Sequence, residues 1–254
     1  MKKVLITAGA SGLGKAMANA FDALGDSIWV VDIDQAALDS CPNHWQKTKV
    51  DVTNEKAVAQ LFESLKSHWG SLDVLCSNAG IAGPTAVLED VPLVEWQRCV
   101  SVNLEGAFLF SKYAAPLMKA QRSGCILFTS STAGLYGFPN RAPYAAAKWA
   151  IIGLMKTVAM ELGPYNVRAN TICPGCVEGE RIEGVMAREA ALKGTSRDAI
   201  FDAYVGGTSM RCFVASEDVA NMAVFLASKG ARRVSGQVIA VDGHTENPDP
   251  KVGG

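Results

Sequence analysis

The chain has 254 residues, of which 49% are hydrophobic and 19% charged, and 24 Lys and Arg against 25 Asp and Glu give a net charge of -1. An apolar content this high with so little net charge excludes an intrinsically disordered chain. Near-neutral charge also removes the electrostatic reason to expect nucleic acid or an anionic membrane as a partner. The length suits a single α/β domain.

The seven cysteines are an odd number, so we expect reduced thiols and a cytoplasmic protein rather than a disulfide framework. Cys173 and Cys176 are the only closely spaced pair, and no second CxxC or HxxxH pattern completes four ligands, so no metal is expected. The N-terminal residues MKKVLITAGA lack the features of a signal peptide. No apolar run reaches the roughly 18–20 residues of a membrane helix.

Short apolar segments alternate along the chain with longer segments of helix-forming residues. Strands are predicted at residues 3–7, 27–32, 47–51, 74–78, 125–130, 168–173 and 237–241. Helices are predicted at residues 14–24, 54–69, 93–121, 144–162 and 216–228, with a further helical pattern at 183–193. Several strands are apolar on successive residues, which favours burial on both faces. The repeated strand-helix order predicts one doubly wound α/β domain over residues 1–254, with a central parallel sheet of about seven strands flanked by helices.

A glycine-rich loop joins the first predicted strand to the first predicted helix. Gly9, Gly12 and Gly14 let the backbone turn tightly and approach a phosphate group closely. The N-terminus of the helix that follows supplies free N–H donors and a positive dipole for that anion. The position between a strand and a helix is typical of a dinucleotide-binding loop.

The same loop nearly matches the phosphate loop of nucleoside triphosphatases. Ala16 stands where that loop needs a Ser or Thr hydroxyl for Mg²⁺, so a Mg-dependent ATPase is the weaker alternative. Asp32 ends the second strand, 20 residues after Gly12, where a carboxylate accepts hydrogen bonds from the adenosine ribose. No basic residue follows at Ile33 to hold a 2′-phosphate. The pattern therefore favours NAD over NADP.

A second group of polar residues follows the strand at residues 125–130. Ser130 and Ser131 lie at its end, and Tyr144 and Lys148 share one face of the next helix because they are four residues apart. A lysine ammonium beside a phenol favours the phenolate and lowers the tyrosine pKa. Tyr144 is therefore predicted to act as an acid or base near neutral pH.

In these features the sequence resembles the short-chain dehydrogenase/reductase family over residues 7–245. The matching motifs are the glycine loop, Asp51-Val52, Asn78-Ala79-Gly80, Asn103, Ser131, Tyr144 with Lys148, Pro174-Gly175 and Val241-Asp242-Gly243. The resemblance implies a Rossmann-type subunit that transfers a hydride between a nicotinamide cofactor, here NAD, and a secondary alcohol or ketone, or a lactol or lactone. It also implies a homo-oligomer, with a tetramer favoured over a dimer.

The resemblance assigns a role to each matching residue. Tyr144 is the implied general acid/base, Ser131 rather than Ser130 orients the substrate oxygen, and Lys148 lowers the Tyr144 pKa and binds the nicotinamide ribose. The backbone of Asn103 anchors a water in the proton relay. Asp51 and Val52 frame the adenine, and Asn78, Ala79 and Gly80 stabilise the sheet beside the cofactor. The full set of implied cofactor-binding residues is Gly9, Ser11, Gly12, Leu13, Gly14, Asp32, Ile33, Asp51, Val52, Asn78, Ala79, Gly80, Tyr144, Lys148, Pro174, Gly175 and Val177.

Two positions depart from the family pattern. Ala8 replaces the first glycine of the loop, a modest change through which we expect cofactor binding to survive. Gly179 stands where the pattern commonly has a Thr that binds the nicotinamide carboxamide, so backbone groups or a lid residue must take over that contact.

Residues 176–211 form a long excursion between two predicted strands and are predicted to be a substrate lid. Arg141, Arg181 and Arg211 are candidates for a cationic fork that holds an acidic substrate. The competing interpretation is that they form surface ion pairs with Glu178, Glu180 or Glu183. The predicted substrate is a small polar molecule such as a sugar, polyol or sugar acid. A catalytically silent NAD-sensing or scaffolding protein of the same fold is the alternative function, although an intact Ser131, Tyr144 and Lys148 argue against it.

Overall fold

The computed structural model describes residues 1–248, so residues 249–254 of the predicted domain lie outside the described part. Its strands are β1 (Lys3–Thr7), β2 (Ser27–Asp32), β3 (Gln46–Lys49), β4 (Val74–Ser77), β5 (Gly124–Thr129), β6 (Val167–Pro174) and β7 (Val238–Val241). Its α-helices are α1 (Gly12–Asp22), α2 (Gln35–Asp39), α3 (Glu55–Trp69), α4 (Leu93–Val100), α5 (Gly106–Gln121), α6 (Ala142–Leu162), α7 (Glu180–Lys193), α8 (Arg197–Gly206) and α9 (Ser216–Leu226). The seven predicted strands are therefore confirmed.

The seven strands form one parallel sheet in the order β3-β2-β1-β4-β5-β6-β7. The strand order reverses between β1 and β4, because the chain leaves β1 toward one edge and returns to build the other. Ligands of doubly wound folds bind in the crevice outside the carboxyl ends of the strands at such a point. The glycine loop, Asp32, Asn78 and Ser131 all follow strand ends at this edge.

The sheet is buried on both faces, as its runs of apolar residues predict. In β1, Leu5 packs into one core with Phe62 of α3 and Phe110 of α5. Val4 and Ile6 pack on the opposite face with α1 and α9. Adjacent residues of a strand point to opposite faces, so a strand between two layers of helices must be apolar at every position. The doubly wound architecture is thus confirmed.

Several predicted element boundaries were wrong. The helix predicted at residues 93–121 is divided into α4 and α5 by a π-helical turn, Ser101–Glu105. The strand predicted at 47–51 ends at Lys49, so Asp51 lies in the loop beyond it. The short helix α2 has no counterpart among the predicted elements. The π-turn matters most for function because it contains Asn103, and π-turns occur often at functional sites.

The excursion between β6 and β7 contains more helix than its sequence pattern indicates. The predicted helix near 183–193 is α7, and α8 follows it within the same excursion. The two helices share a small apolar cluster of Met186, Ala190 and Ile200. This cluster is separate from the two main cores, so the excursion packs as a unit over the carboxyl edge of the sheet. Within residues 1–248, no helix combines the length and apolar character needed to cross a bilayer.

Candidate active site

The three glycines of the loop are required for three different reasons. A Cβ on Gly9 would lie 2.7 Å from Val30 Cγ1, and one on Gly14 would lie 1.9 Å from the carbonyl oxygen of Ala8. Gly12 has a φ of +48°, in the left-handed region that favours glycine. Gly9 therefore packs against β2, Gly12 forms the turn, and Gly14 brings the start of α1 against the loop.

The N-terminus of α1 faces the cleft without a side-chain cap. Ser11 is the N-cap residue, but its side chain makes no capping hydrogen bond, and no acidic residue lies in the first turn of α1. Ser11, Gly12, Leu13 and Gly14 line the cleft. The free N–H groups and the helix dipole therefore form an anion site of the kind that holds a dinucleotide pyrophosphate.

Ala8 is a larger departure from the glycine pattern than the sequence indicates. Its φ is +48°, a left-handed conformation that a residue with a Cβ adopts at a cost of roughly 1–2 kcal/mol. The expectation of a modest change holds for the size of the methyl group, but it overlooked the backbone conformation. Ala8 also lines the cleft, so the strain is stored beside the ligand site.

Replacing Ala8 by glycine should therefore raise the free energy of unfolding by about 0.5–1 kcal/mol, since glycine adopts this conformation without strain. The control is Ala10→Gly in the same loop, where φ is not positive and the side chain is 2% exposed. That change should lower the stability instead. Equilibrium denaturation of both variants would contradict this explanation if Ala8→Gly were the less stable of the two.

Asp32 lies at the far end of the cleft from Tyr144. Its carboxylate accepts hydrogen bonds from the backbone N–H groups of Ala10 (3.2 Å) and Asp34 (3.2 Å), which fix its orientation. Asp32, Ile33, Asp51 and Val52 line a cavity of about 480 Å³. The sequence did not indicate six further residues that line it, namely Val50, Thr53, Ile81, Arg98, Ser101 and Val102.

Asn78 and Ala79 tie the end of β4 to the end of β1. Their backbone N–H groups both donate to the Thr7 hydroxyl at 2.8 Å. Asn78 Nδ2 also donates to the carbonyl oxygen of Thr7 at 3.3 Å. These contacts hold the two strands together where the strand order reverses, which is the position expected for residues that stabilise the sheet beside a cofactor.

Ser131, Tyr144 and Lys148 come together at the other end of the cleft. Lys148 is 2% exposed, and its Nζ donates to the carbonyl oxygen of Thr129 (2.9 Å) and lies 5.6 Å from the centre of the Tyr144 ring. Ser131 lies within hydrogen-bonding reach of the Tyr144 hydroxyl. The Ser130 hydroxyl instead donates to the carbonyl oxygen of Lys148 at 2.7 Å.

The surroundings of Tyr144 lower its pKa. Burial acts in the opposite direction and raises the pKa of this phenol. The positive charges of Lys148 and Arg181, the hydrogen bond from Ser131 and the charge of Arg141 together outweigh burial. The pKa of Tyr144 therefore lies below that of an ordinary tyrosine, which makes the phenolate accessible nearer neutral pH.

Asn103 lies behind the cleft rather than on its wall. Its Nδ2 donates to the carbonyl oxygens of Cys99 (2.8 Å) and Ile81 (3.0 Å). Its Oδ1 is buried and finds no donor among residues 1–248. A Cβ on Gly80 would lie 2.5 Å from this oxygen and 3.3 Å from Lys148 Nζ, so glycine at 80 lets the three groups approach one another.

The end of β6 and the segment that follows it line the same cleft as Tyr144. Pro174, Gly175, Val177 and Gly179 line the cleft. A Cβ on Gly175 would lie 2.9 Å from Asp242 Cα, so only glycine fits there. Gly179 has a φ of +131°, a conformation that a threonine would not adopt without strain. A threonine at this position would therefore strain the backbone that this chain adopts.

The three arginines separate into two groups. Arg141 and Arg181 line the cleft, whereas Arg211 is exposed, lies away from it and donates to the carbonyl oxygen of Gly206. The predicted three-arginine fork was therefore wrong for Arg211. Within residues 1–248, the three arginines also form no ion pair with Glu178, Glu180 or Glu183, and Glu183 pairs with Arg197 instead. Arg141 donates to Ala82 O (3.0 Å) and Arg181 to Gly80 O (3.3 Å).

The two ends of the cleft are continuous. Residues around Tyr144 line a cavity of about 530 Å³, and Ala8, Ser11 and Gly80 border both this cavity and the one beside Asp32. Every residue of the implied cofactor set lines one cavity or the other except Gly9, which packs against Val30. The sequence did not indicate Phe138, Ile182, Val185 and Tyr204, whose place on the wall depends on how the lid folds.

Comparison with known proteins decides the family. The family model described as "Enoyl-(Acyl carrier protein) reductase" (adh_short_C2) matches residues 7–244. The chain belongs to the short-chain dehydrogenase/reductase family. It is 36% identical over 251 residues to a 3-oxoacyl-(acyl-carrier-protein) reductase of Thermotoga maritima, covering 95% of this chain and 96% of that protein. It is 35% identical to a trans-4-hydroxycyclohexanecarboxylate dehydrogenase of Sinomonas cyclohexanicum, covering 95% and 92%.

The similarity extends to solved structures of the same family. The structure of an NAD⁺-bound xylitol dehydrogenase superposes with a TM-score of 0.91 at 29% identity, covering 95% of this chain and 98% of that one. A levodione reductase superposes with a TM-score of 0.88 at 30% identity, covering 95% and 96%. Members of this family are oxidoreductases that act on CH–OH groups with a nicotinamide cofactor, and the chain is an oxidoreductase of this class.

Proposed function

We propose that the protein is an NAD-dependent oxidoreductase that interconverts a secondary alcohol and a ketone, or a lactol and a lactone, on a small polar substrate such as a sugar, polyol or sugar acid. The observation that supports this most strongly is the geometry around Tyr144: Lys148 Nζ lies 5.6 Å from its ring, Ser131 lies within hydrogen-bonding reach, and the same cleft contains the glycine loop. An acid/base placed beside a dinucleotide site is the arrangement that alcohol oxidation requires.

The cleft has the shape and donors that NAD requires. The pyrophosphate would bind at the uncapped N-terminus of α1, and the adenosine ribose would bind at Asp32. Asp51, Val52 and Ile33 would enclose the adenine, while Pro174, Gly175 and Val177 would enclose the nicotinamide. Bound NAD supplies the acceptor for the hydride that leaves the alcohol carbon.

Tyr144 and Ser131 handle the proton. Ser131 orients the substrate hydroxyl, and the Tyr144 phenolate takes its proton as the carbon loses its hydride, which leaves a ketone. In the reverse direction, the Tyr144 phenol returns the proton to the oxygen. Lys148 keeps the phenolate accessible through its charge and would hold the nicotinamide ribose when the cofactor is bound.

Asn103 completes a path for the proton behind Tyr144. Its Oδ1 and the Lys148 Nζ both lie close to Gly80, so a water held there would bridge the two groups. The sequence comparison assigned this task to the backbone of Asn103, and we add the side-chain oxygen. Asn103 lies within the π-turn, and its amide nitrogen is held by Cys99 O and Ile81 O.

We further propose that NAD is preferred over NADP. The Asp32 carboxylate would accept hydrogen bonds from the ribose and repel a 2′-phosphate. Ile33, which follows it, is 62% exposed and provides no positive charge for that phosphate.

Asp32→Asn should lower the ratio of kcat/KM for NAD to that for NADP by about 10–100-fold, because a hydrogen bond to a charged group is worth about 1.5–3 kcal/mol. Asparagine keeps the size of the side chain and one acceptor oxygen, so it can retain one of the two backbone hydrogen bonds that hold Asp32. Asp34→Asn is the control, since Asp34 caps α2 and does not border the cleft. Steady-state kinetics with both cofactors measure the ratio, and an unchanged ratio in Asp32→Asn would remove Asp32 as its cause.

Three further assignments belong to this proposal. Residues 176–211 act as a substrate lid, because α7 and α8 cover the cleft and share their own apolar cluster.

The chain forms a homo-oligomer, with a tetramer favoured over a dimer, since Phe108 of α5, Trp149 of α6 and Phe225 of α9 are 47%, 51% and 50% exposed. Seven free cysteines are consistent with the cytoplasm. Light scattering would measure the oligomer mass.

The alternative of a silent NAD-sensing or scaffolding protein predicts a different result. A sensor would bind NADH but reduce no cofactor with any alcohol. The enzyme would reduce NAD only when substrate is added, and Tyr144→Phe would abolish that reduction. The hydrogen-bonded Ser131 and the lowered Tyr144 pKa favour the enzyme, because cofactor binding alone needs neither.

A further inference from the structure

Three cations surround Tyr144, although alcohol oxidation requires only one of them. Arg141 Cζ lies 4.9 Å, Lys148 Nζ 5.6 Å and Arg181 Cζ 5.8 Å from the centre of the tyrosine ring. Lys148 belongs to the proton-transfer machinery. The two arginines come from different parts of the chain, one from the start of α6 and one from the first turn of α7, and they converge on the same ring.

No carboxylate among residues 1–248 neutralises these two arginines. The acids near them are engaged elsewhere: Glu183 pairs with Arg197, and Glu189 pairs with Lys193 and accepts from the Tyr204 hydroxyl. Glu180 borders the cleft but forms no ion pair with either arginine. The end of the cleft around Tyr144 therefore has an excess of positive charge, which attracts an anion.

Both arginines are positioned by backbone contacts that leave donors free. Arg141 uses Nη2 to contact Ala82 O, and its Nε is buried with no acceptor among the described residues. Arg181 uses Nη1 to contact Gly80 O. A guanidinium has five N–H donors, so each retains several for a ligand. A buried donor without an acceptor is costly, and a bound anion would remove that cost.

We infer that the substrate carries a carboxylate, which Arg141 and Arg181 hold while its hydroxyl lies against Tyr144 and Ser131. This inference rests on the proposed function. The reaction is then the oxidation of a hydroxy acid by NAD to the oxo acid, NADH and a proton, with the carboxylate unchanged. Arginine matches the planar oxygen pair of a carboxylate through parallel hydrogen bonds. The cavity of about 530 Å³ must also receive the nicotinamide, so the acid is small.

The direct test is binding to the enzyme saturated with NADH, a state in which a hydroxy acid cannot be oxidised. Isothermal titration calorimetry would compare 3-hydroxybutyrate and 4-hydroxycyclohexanecarboxylate with their methyl esters, which keep the carbon skeleton and lose the charge. Sorbitol 6-phosphate against sorbitol forms a third pair that probes a phosphate ester. We expect at least one acid to bind ten times more tightly than its ester.

Arg181→Gln and Arg141→Gln should each reduce that preference for the acid at least tenfold while changing the dissociation constant of NADH less than threefold. Arg181→Lys should recover part of it, since lysine keeps the charge but not the paired donors. Arg211→Gln is the matched control, because Arg211 lies in the lid segment and away from the cleft. It should leave both affinities unchanged.

The outcomes separate this inference from the proposed function. If the protein binds NADH but its NADH complex binds acid and ester with equal affinity in every pair, the inference of a carboxylate substrate is wrong and the proposed dehydrogenase stands. If sorbitol 6-phosphate binds more tightly than either acid, Arg141 and Arg181 bind a phosphate ester, and the inference of a carboxylate substrate is wrong. Loss of NADH affinity in Arg181→Gln, with the acid preference retained, would make Arg181 a cofactor residue. Failure of the wild-type protein to bind NADH would overturn the proposed function and this inference together.

Discussion

Replacing Tyr144 by phenylalanine should lower kcat by about a thousandfold, within the 10²–10⁴ range contributed by general acid/base catalysis. The ring and its contacts with three cations remain, so only the oxygen that carries the proton is lost. The dissociation constant of NADH should stay within about twofold, because the cleft keeps its shape. Steady-state kinetics and a fluorescence titration of NADH measure the two quantities.

Tyr136→Phe provides the matched control. Tyr136 lies a short distance before Tyr144, and its hydroxyl contacts Thr245 O (3.3 Å) outside the cleft. The same loss of one oxygen there should leave kcat nearly unchanged. Turnover in Tyr144→Phe close to that of Tyr136→Phe would show that Tyr144 transfers no proton.

Lys148→Met should give the second largest effect, a fall in kcat of about a hundredfold together with an alkaline shift of the pH profile. Alcohol oxidation needs the Tyr144 phenolate, so its rate rises as the pH increases through the Tyr144 pKa. Of the groups that lower that pKa, Lys148 acts most strongly. Removing its charge raises the pKa, so the rise in rate moves to higher pH.

Lys156→Met, on the same helix, is the control for charge. It lies two turns beyond Lys148, lines neither cavity, and its Nζ donates to Gly236 O at 2.7 Å. It should leave the pH profile in place. A profile for Lys148→Met that fell in height without moving would mean that Lys148 acts only by binding the cofactor.

The fold could be predicted because its main signals are local in the sequence. A strand buried between two helical layers has to be apolar at successive positions, as Leu5 and Ile6 show on opposite faces of β1. Helices between such strands then require parallel pairing and a doubly wound order. The pair Tyr144 and Lys148 could also be predicted from the sequence, since the two residues lie one turn apart on a single helix.

The features that could not be predicted depend on tertiary contacts. The short helices α2 and α8 are stabilised by packing rather than by propensity, as Leu38 and Ile200 illustrate. The left-handed backbone at Ala8 could not be predicted from the alanine itself, which favours other conformations; the only indication was the glycine that the family pattern has there. The path of the lid decides that Arg181 enters the cleft and Arg211 does not, although both lie in the same predicted segment.

The measurement that tests this function most directly is the absorbance of the reduced nicotinamide during incubation with NAD or NADP and a panel of alcohols. The panel should contain sugars, polyols, hydroxy acids and cyclic alcohols, each with the wild-type protein and with Tyr144→Phe. We predict substrate-dependent reduction of NAD, weaker reduction of NADP, and loss of both in the variant. NADH binding without reduction of either cofactor by any compound would contradict the dehydrogenase and favour the silent sensor.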